Sequence, residues 1–110
     1  MPNVKIYVDA NIYDDHKLGL LQSLVQLRAI VVSHLRVPEA ACQFALVPVG
    51  ALRDQPAANV EMHIMPQPDR TQECLATMGR ALQQRLRDVI NAPVAFRCVQ
   101  LDPATYVALK

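Results

Sequence analysis

Asn3-Val-Lys-Ile-Tyr-Val8 and Asn59-Val-Glu-Met-His-Ile64 open two halves of the sequence with the same Asn-Val pair and the same alternation. In the first segment Val4, Ile6 and Val8 alternate with Lys5 and Tyr7, the period of a strand with one face in a core. Each segment leads into a helical period and then into a second apolar run. After a polar, turn-like Asp9–Asp15, the apolar positions Leu20, Leu21, Leu24, Leu27, Ile30, Val31 and Leu35 predict a helix from about Asp14. Asp14 and Asp15 suit its positive end, His34 and Arg36 its C-terminal end, and Pro38 lies beyond it.

Cys42–Val49 then reads as a buried strand, with Pro48 at its end or on an unpaired side because proline cannot donate to a ladder. Gly50–Ala58 reads as a loop. In the second half, Pro66–Asp69 makes a turn, and Asp69 with Gln72 resembles a capping box. Leu75, Met78, Leu82, Leu86 and Val89 or Ile90 form one helical stripe, which Asn91-Ala-Pro93 ends. Val94–Leu101 is the fourth predicted strand, and Asp102-Pro103 begins a short tail.

The order is therefore β-α-β twice, offset by about 56 residues from Val4 to Val60. Each crossover helix makes its two strands parallel and should be right-handed. The expected fold is α+β: two tandem βαβ units (2–49 and 59–101) in one domain, forming a four-stranded mixed sheet with both helices on one face. Phe44, Ala45, Leu46, Val47 and Val49 put apolar groups on both sides of one strand. The helix-free face thus needs cover, and a homo-oligomer would supply it.

Composition narrows the function classes. A net charge of +1, 19% charged and 5% aromatic residues argue against a nucleic-acid or membrane-surface partner. The N-terminus lacks the pattern of a secretory signal. The apolar stretch Leu18–Leu35 is interrupted by Gln22, Ser23, Gln26, Arg28 and Ser33, which reads against a membrane span. A cytoplasmic protein is expected. Cys42, Cys74 and Cys98 are odd in number and unpaired in spacing, so they read as small buried hydrophobes. With His16, His34 and His63 scattered, neither a metal nor another cofactor is expected.

No G-x-S-x-G elbow, phosphate-cradling glycine loop or carboxylate pair is present. The informative residue is Pro2. Loss of Met1 would leave a secondary amine at the head of a strand. A chain-terminal amine titrates near ~8, and desolvation or nearby arginines lower that value, so it can act as a base at neutral pH.

From Met1-Pro2 through Asn11-Ile12, Asp14-Asp15, Leu18, Leu21, Pro38, Arg70-Thr71 and Asp102-Pro103 to Tyr106 and Lys110, the chain resembles the tautomerase superfamily. Within it, the likeness is to the 5-carboxymethyl-2-hydroxymuconate isomerases. That resemblance implies a homotrimer, no cofactor, and a small carboxylated enol or unsaturated keto acid as substrate. It makes Pro2 the candidate base. It makes Arg70 the candidate carboxylate-binding residue, with a guanidinium fork beside a helix N-terminus. Tyr106 would line a pocket at a subunit boundary, while Lys5 and His63 read as sheet-surface residues. The chain departs from the isomerases in the second strand, where Gln43 and Ala45 stand at positions that carry arginine in the family. Two functions follow: an isomerase of aromatic-compound catabolism, or a catalytically inactive oligomeric binding or scaffold protein on the same fold.

Overall fold

The computed structural model describes all 110 residues. Its elements are β1 (Asn3–Asp9), α1 (Ala10–Leu35), a short 3-10 turn (Glu39–Ala41), β2 (Gln43–Val49), β3 (Ala58–Ile64), α2 (Gln72–Ile90) and β4 (Val94–Gln100). One sheet holds the strands in the order β2-β1-β3-β4. β1 runs parallel to β2, β3 runs parallel to β4, and the central pair β1/β3 is antiparallel. The two βαβ units are thereby related by a pseudo-twofold axis between β1 and β3. The α+β architecture is the one expected from the sequence.

The alternation in β1 and β3 does what its period dictates. Val4, Ile6 and Val8 are buried with Val60, Met62 and Ile64 under the two helices. They join Leu20, Leu27, Val31, Met78, Leu82 and Leu86 in a single cluster of 17 buried apolar residues, so the two units share one core. The α2 stripe is the predicted one, with Leu75, Met78, Leu82, Leu86 and Ile90 all buried. Gly79 is required there by close approach, because a Cβ would meet the Phe96 ring of β4 at 2.3 Å.

Both helix starts differ from expectation. α1 begins at Ala10, and Asp9–Asp15 is helix rather than turn. Asp9 ends β1 and caps α1 at once: its Oδ1 accepts from the amides of Asn11 (2.9 Å) and Ile12 (3.4 Å). Asp14 and Asp15 lie in the second turn and are exposed. The polar run hid this start because α1 kinks at His16 (φ −127°), which breaks the apolar period in its first turns. In α2 the cap is Thr71, whose Oγ1 accepts from the amide of Cys74 at 3.1 Å, and not Asp69. β2 starts one residue later than expected and β4 ends one residue earlier.

The helix-free face also differs. The sheet register places Asn3, Lys5, Tyr7, Asn59, Glu61 and His63 on it along the central strands. Apolar groups reach that face mainly from the edges, through Ala45, Val47 and Val49 of β2 and Ala95 and Val99 of β4. Both edge strands are therefore apolar on two sides, β2 as its sequence predicts and β4 as well.

α1 is apolar enough by length and composition to cross a membrane, with mean hydropathy 1.4 in its most apolar window, despite its five polar interruptions. In the fold it is a core helix, burying Leu20, Ser23, Leu27, Val31 and Leu35. The buried Ser23 hydroxyl donates to the carbonyl of Leu20 at 2.7 Å, so no polar group is stranded there. Its outer side leaves Leu18 (69%), Val25 (66%) and Leu21 (44%) exposed.

Candidate active site

The strand directions gather both ends of the chain at one end of the sheet. β1 and β2 begin there, and β3 and β4 finish there. Pro2, at the head of central strand β1, is buried. Its carbonyl accepts the Gln43 amide at 2.9 Å, which ties the chain terminus to the start of β2. Beside it lies a cavity of about 510 Å³. Met1, Asn3, Gln43 and Met65 form one side and the tail from Tyr106 to Lys110 the other. The tail is set in place by the Leu101 amide donating to Ile64 (2.8 Å) and the Tyr106 amide donating to Asp102 (2.9 Å).

Of the predicted site residues, Tyr106 lines this cavity; Pro2 does not, although its neighbours Met1 and Asn3 do. Arg70 is not among the lining residues. It lies two residues before α2, and its Nη1 turns back to donate to the carbonyl of Met65 at 2.6 Å. Its own carbonyl accepts from Gln100 Nε2 at 2.9 Å. Its Nε is buried and has no partner, a donor left free one residue layer behind the cavity wall. Lys5 and His63 lie on the helix-free face, where they flank a smaller cavity of about 190 Å³ with Asn3, Tyr7 and Glu61. Lys5 Nζ donates to Asn3 Oδ1 at 2.7 Å.

A second cavity of about 540 Å³ adjoins the first through Gln43. It runs along the outer edge of β2 beside α1 and is lined by Lys5, Arg28, Cys42 and Gln43, with Leu24, Val25 and Phe44 as its apolar part. Burial pushes the Cys42 thiol above its ordinary range, and the positive charges of Arg28 and the chain's N-terminus oppose that rise. The Cys98 thiol, under the helices, is likewise raised by burial and opposed by Arg70. All three cysteines are free thiols, and no group of His, Cys, Asp and Glu residues is placed to hold a metal ion.

Sequence reasoning named Gln43 only as a departure from a family pattern, yet it borders both cavities. The parallel register of β1 and β2, which sets Gln43 beside Asn3, is the signal that puts it there. Arg28 was read only as a polar interruption of an apolar stretch. Its place follows from the rotation of α1 against β2, which spacing alone does not define.

The sequence matches no family model and no curated protein. Solved structures do resemble it closely in shape. A macrophage migration inhibitory factor-like protein from Entamoeba histolytica superposes with a TM-score of 0.72 at 12% identity, covering 97% of this chain and 94% of the other. A fused 4-OT described as an asymmetric trimer gives 0.73 at 13%, covering 96% and 91%. A member of the cis-3-chloroacrylic acid dehalogenase family gives 0.68 at 16%, covering 96% and 79%. At these identities the likeness is one of fold, and the chain has the doubled βαβ fold that these structures share.

Proposed function

We propose that this chain is a cofactor-independent isomerase, a tautomerase, that moves a proton between carbon atoms of an unsaturated 2-hydroxy or 2-oxo carboxylic acid. The amine of Pro2, freed by loss of Met1, is the base. From a 2-oxo acid it takes a proton at the carbon next to the carbonyl, and from a 2-hydroxy acid the enol hydroxyl proton, and it delivers that proton to another carbon, so the composition of the substrate is unchanged. The observation that carries this reading is the buried Pro2 at the head of a central strand, beside a cavity that Met1 itself lines. Without Met1, the amine would sit at that cavity in a partly desolvated place that disfavours its protonated form.

Tyr106 and Arg70 are the substrate-binding residues of this proposal. Tyr106 is part of the wall. Arg70 bears on the wall through the Met65 carbonyl, and its buried Nε has no partner. The 5-carboxymethyl-2-hydroxymuconate isomerases remain the model for the substrate, with a small carboxylated enol as its class. A homotrimer is part of the same proposal: fused 4-OT proteins of this fold are described as trimers. The apolar edge formed by Ala45, Val47 and Val49 would gain cover in such an assembly.

The test is the ketonisation rate of enolpyruvate or a simple 2-hydroxydienoate, with protein whose mass shows that Met1 is gone. Pro2→Ala should slow it by roughly two to four orders of magnitude, the usual contribution of a positioned base. Arg70→Ala should mainly raise KM for carboxylated enols. A rate that Pro2→Ala leaves unchanged sinks the proposal, and no rate at all with Pro2 free favours the inactive binding protein.

A further inference from the structure

We propose that Arg28 of α1 is a substrate-binding residue of the Pro2 site, holding the anionic end of a small apolar-bodied carboxylate in the cavity between α1 and β2, and that Glu39 competes with that carboxylate for it. This inference rests on the Pro2 reading and adds to it a residue that reaches the site from a helix.

The case begins with a deficit. β2 presents Gln43 and Ala45 toward the chain terminus, and neither carries charge. A multiply charged substrate needs a cation near the base, and the cavity bordering Gln43 supplies two, Arg28 and Lys5. The rest of its lining is largely apolar, with Leu24 and Phe44 suited to the carbon body of an unsaturated acid. Arg28 and Cys42 line the same cavity, and Cys42 immediately precedes Gln43, whose amide is bonded to the Pro2 carbonyl. Gln43 borders both cavities, so the cavity that holds Arg28 adjoins the residue that anchors the chain terminus.

Glu39 gives Arg28 a resident partner. Arg28 Nη2 reaches Glu39 Oε2 at 3.5 Å, with the two side chains 38% and 69% exposed. A pair so long and so wet contributes little to stability. It does place a carboxylate where a substrate carboxylate would go. The pair is therefore easily opened, and an incoming carboxylate that offers two oxygens to the guanidinium fork replaces a weak contact with a stronger one.

Two measurements test this. In the first, Arg28→Ala should raise KM for a carboxylated enol by roughly 10-fold or more, the usual worth of a hydrogen bond to a charged group, with kcat changed little. Arg28→Lys should recover part of that loss, and Glu39→Gln should lower KM. The second needs no isomerase activity: Cys42, on the same cavity wall, is alkylated with iodoacetate and with iodoacetamide and read by peptide mass. Both reagents attack the same thiolate, so the ratio of their rates reports the field on an anion and cancels the thiolate fraction. The ratio should fall several-fold in Arg28→Ala and rise in Glu39→Gln. Opposite shifts in the two variants support anion binding at Arg28 in competition with Glu39, and a silent Pro2→Ala beside them would overturn only its assignment to a Pro2-catalysed reaction. A ratio that Arg28→Ala leaves unmoved, or shifts of the same sign in both variants, overturns it.

Discussion

The two βαβ units share a topology but differ in how completely their helices are specified. α2 is amphipathic: its buried stripe is continuous, and Arg80, Gln84, Arg87 and Asp88 cover the outside. α1 is longer, kinked at His16, and apolar on the outside as well, at Leu18, Leu21 and Val25. Even the C-caps diverge. α2 ends on Asn91 in the left-handed region (φ 50°), where asparagine is at ease, and α1 ends there on Arg36 (φ 55°), which is not. The comparison teaches that α2 is tuned to its own unit's packing. α1 has given up part of that tuning, and it is the helix whose surface borders the cavity along the edge of β2.

The sharpest way to break this comparison lies in the two helix glycines. Gly79→Ala should destabilise by roughly 1–3 kcal/mol, because its Cβ would run into the Phe96 ring at 2.3 Å. Gly19→Ala in α1 meets only the Val89 side chain, at 3.2 Å. Its gain in helix propensity, about 1 kcal/mol, should leave it neutral or slightly stabilised. Urea midpoints at unchanged slope measure both, and equal losses would mean that α1 is as tightly fitted as α2. A smaller effect is expected at the caps. Arg36→Gly should raise stability by about 1 kcal/mol, and Asn91→Gly by a few tenths. If Arg36→Gly is destabilising, the arginine has a partner in the assembly that one chain does not reveal. The smallest effect concerns the outer faces: Leu18→Gln and Val25→Gln should shift unfolding by no more than about 0.5 kcal/mol, as surface changes do. A larger loss would show that this side of α1 is covered in solution.

Much of the fold was legible because β1, β3 and α2 carry their periods without interruption. Val4, Ile6, Val8, Val60, Met62 and Ile64 needed only the pleat, and Leu75 to Ile90 needed only the helical turn. The start of α1 was not legible. Asp9 acts as strand end and helix cap in one residue, and the polar turn after it resembles a loop until the cap is seen. Thr71 lost out to Asp69 for a related reason: either residue type can cap, and the chain direction at Arg70 decides between them. The nearness of Tyr106 to the chain terminus was readable only through resemblance to a family. The position of Arg28 was not, because a helix residue's partners across a sheet edge depend on how the helix is rolled. The turning of the Arg70 guanidinium onto Met65 was equally hidden, since it depends on the path of the turn between β3 and α2.

The pseudo-twofold axis between β1 and β3 bears on stoichiometry. By the 56-residue offset, the counterpart of Pro2 in the second unit is Ala58, whose nitrogen is an amide that donates to the carbonyl of Pro93 at 3.5 Å. Two separate copies of one such unit, paired about that axis, would present two free termini at opposite ends of the sheet. Joining the units through Gly50–Ala57 turns one of those termini into an ordinary peptide bond. Under the proposed reaction the joined chain would offer one basic nitrogen for every two strand-helix-strand repeats, and its other unit would be released from that duty.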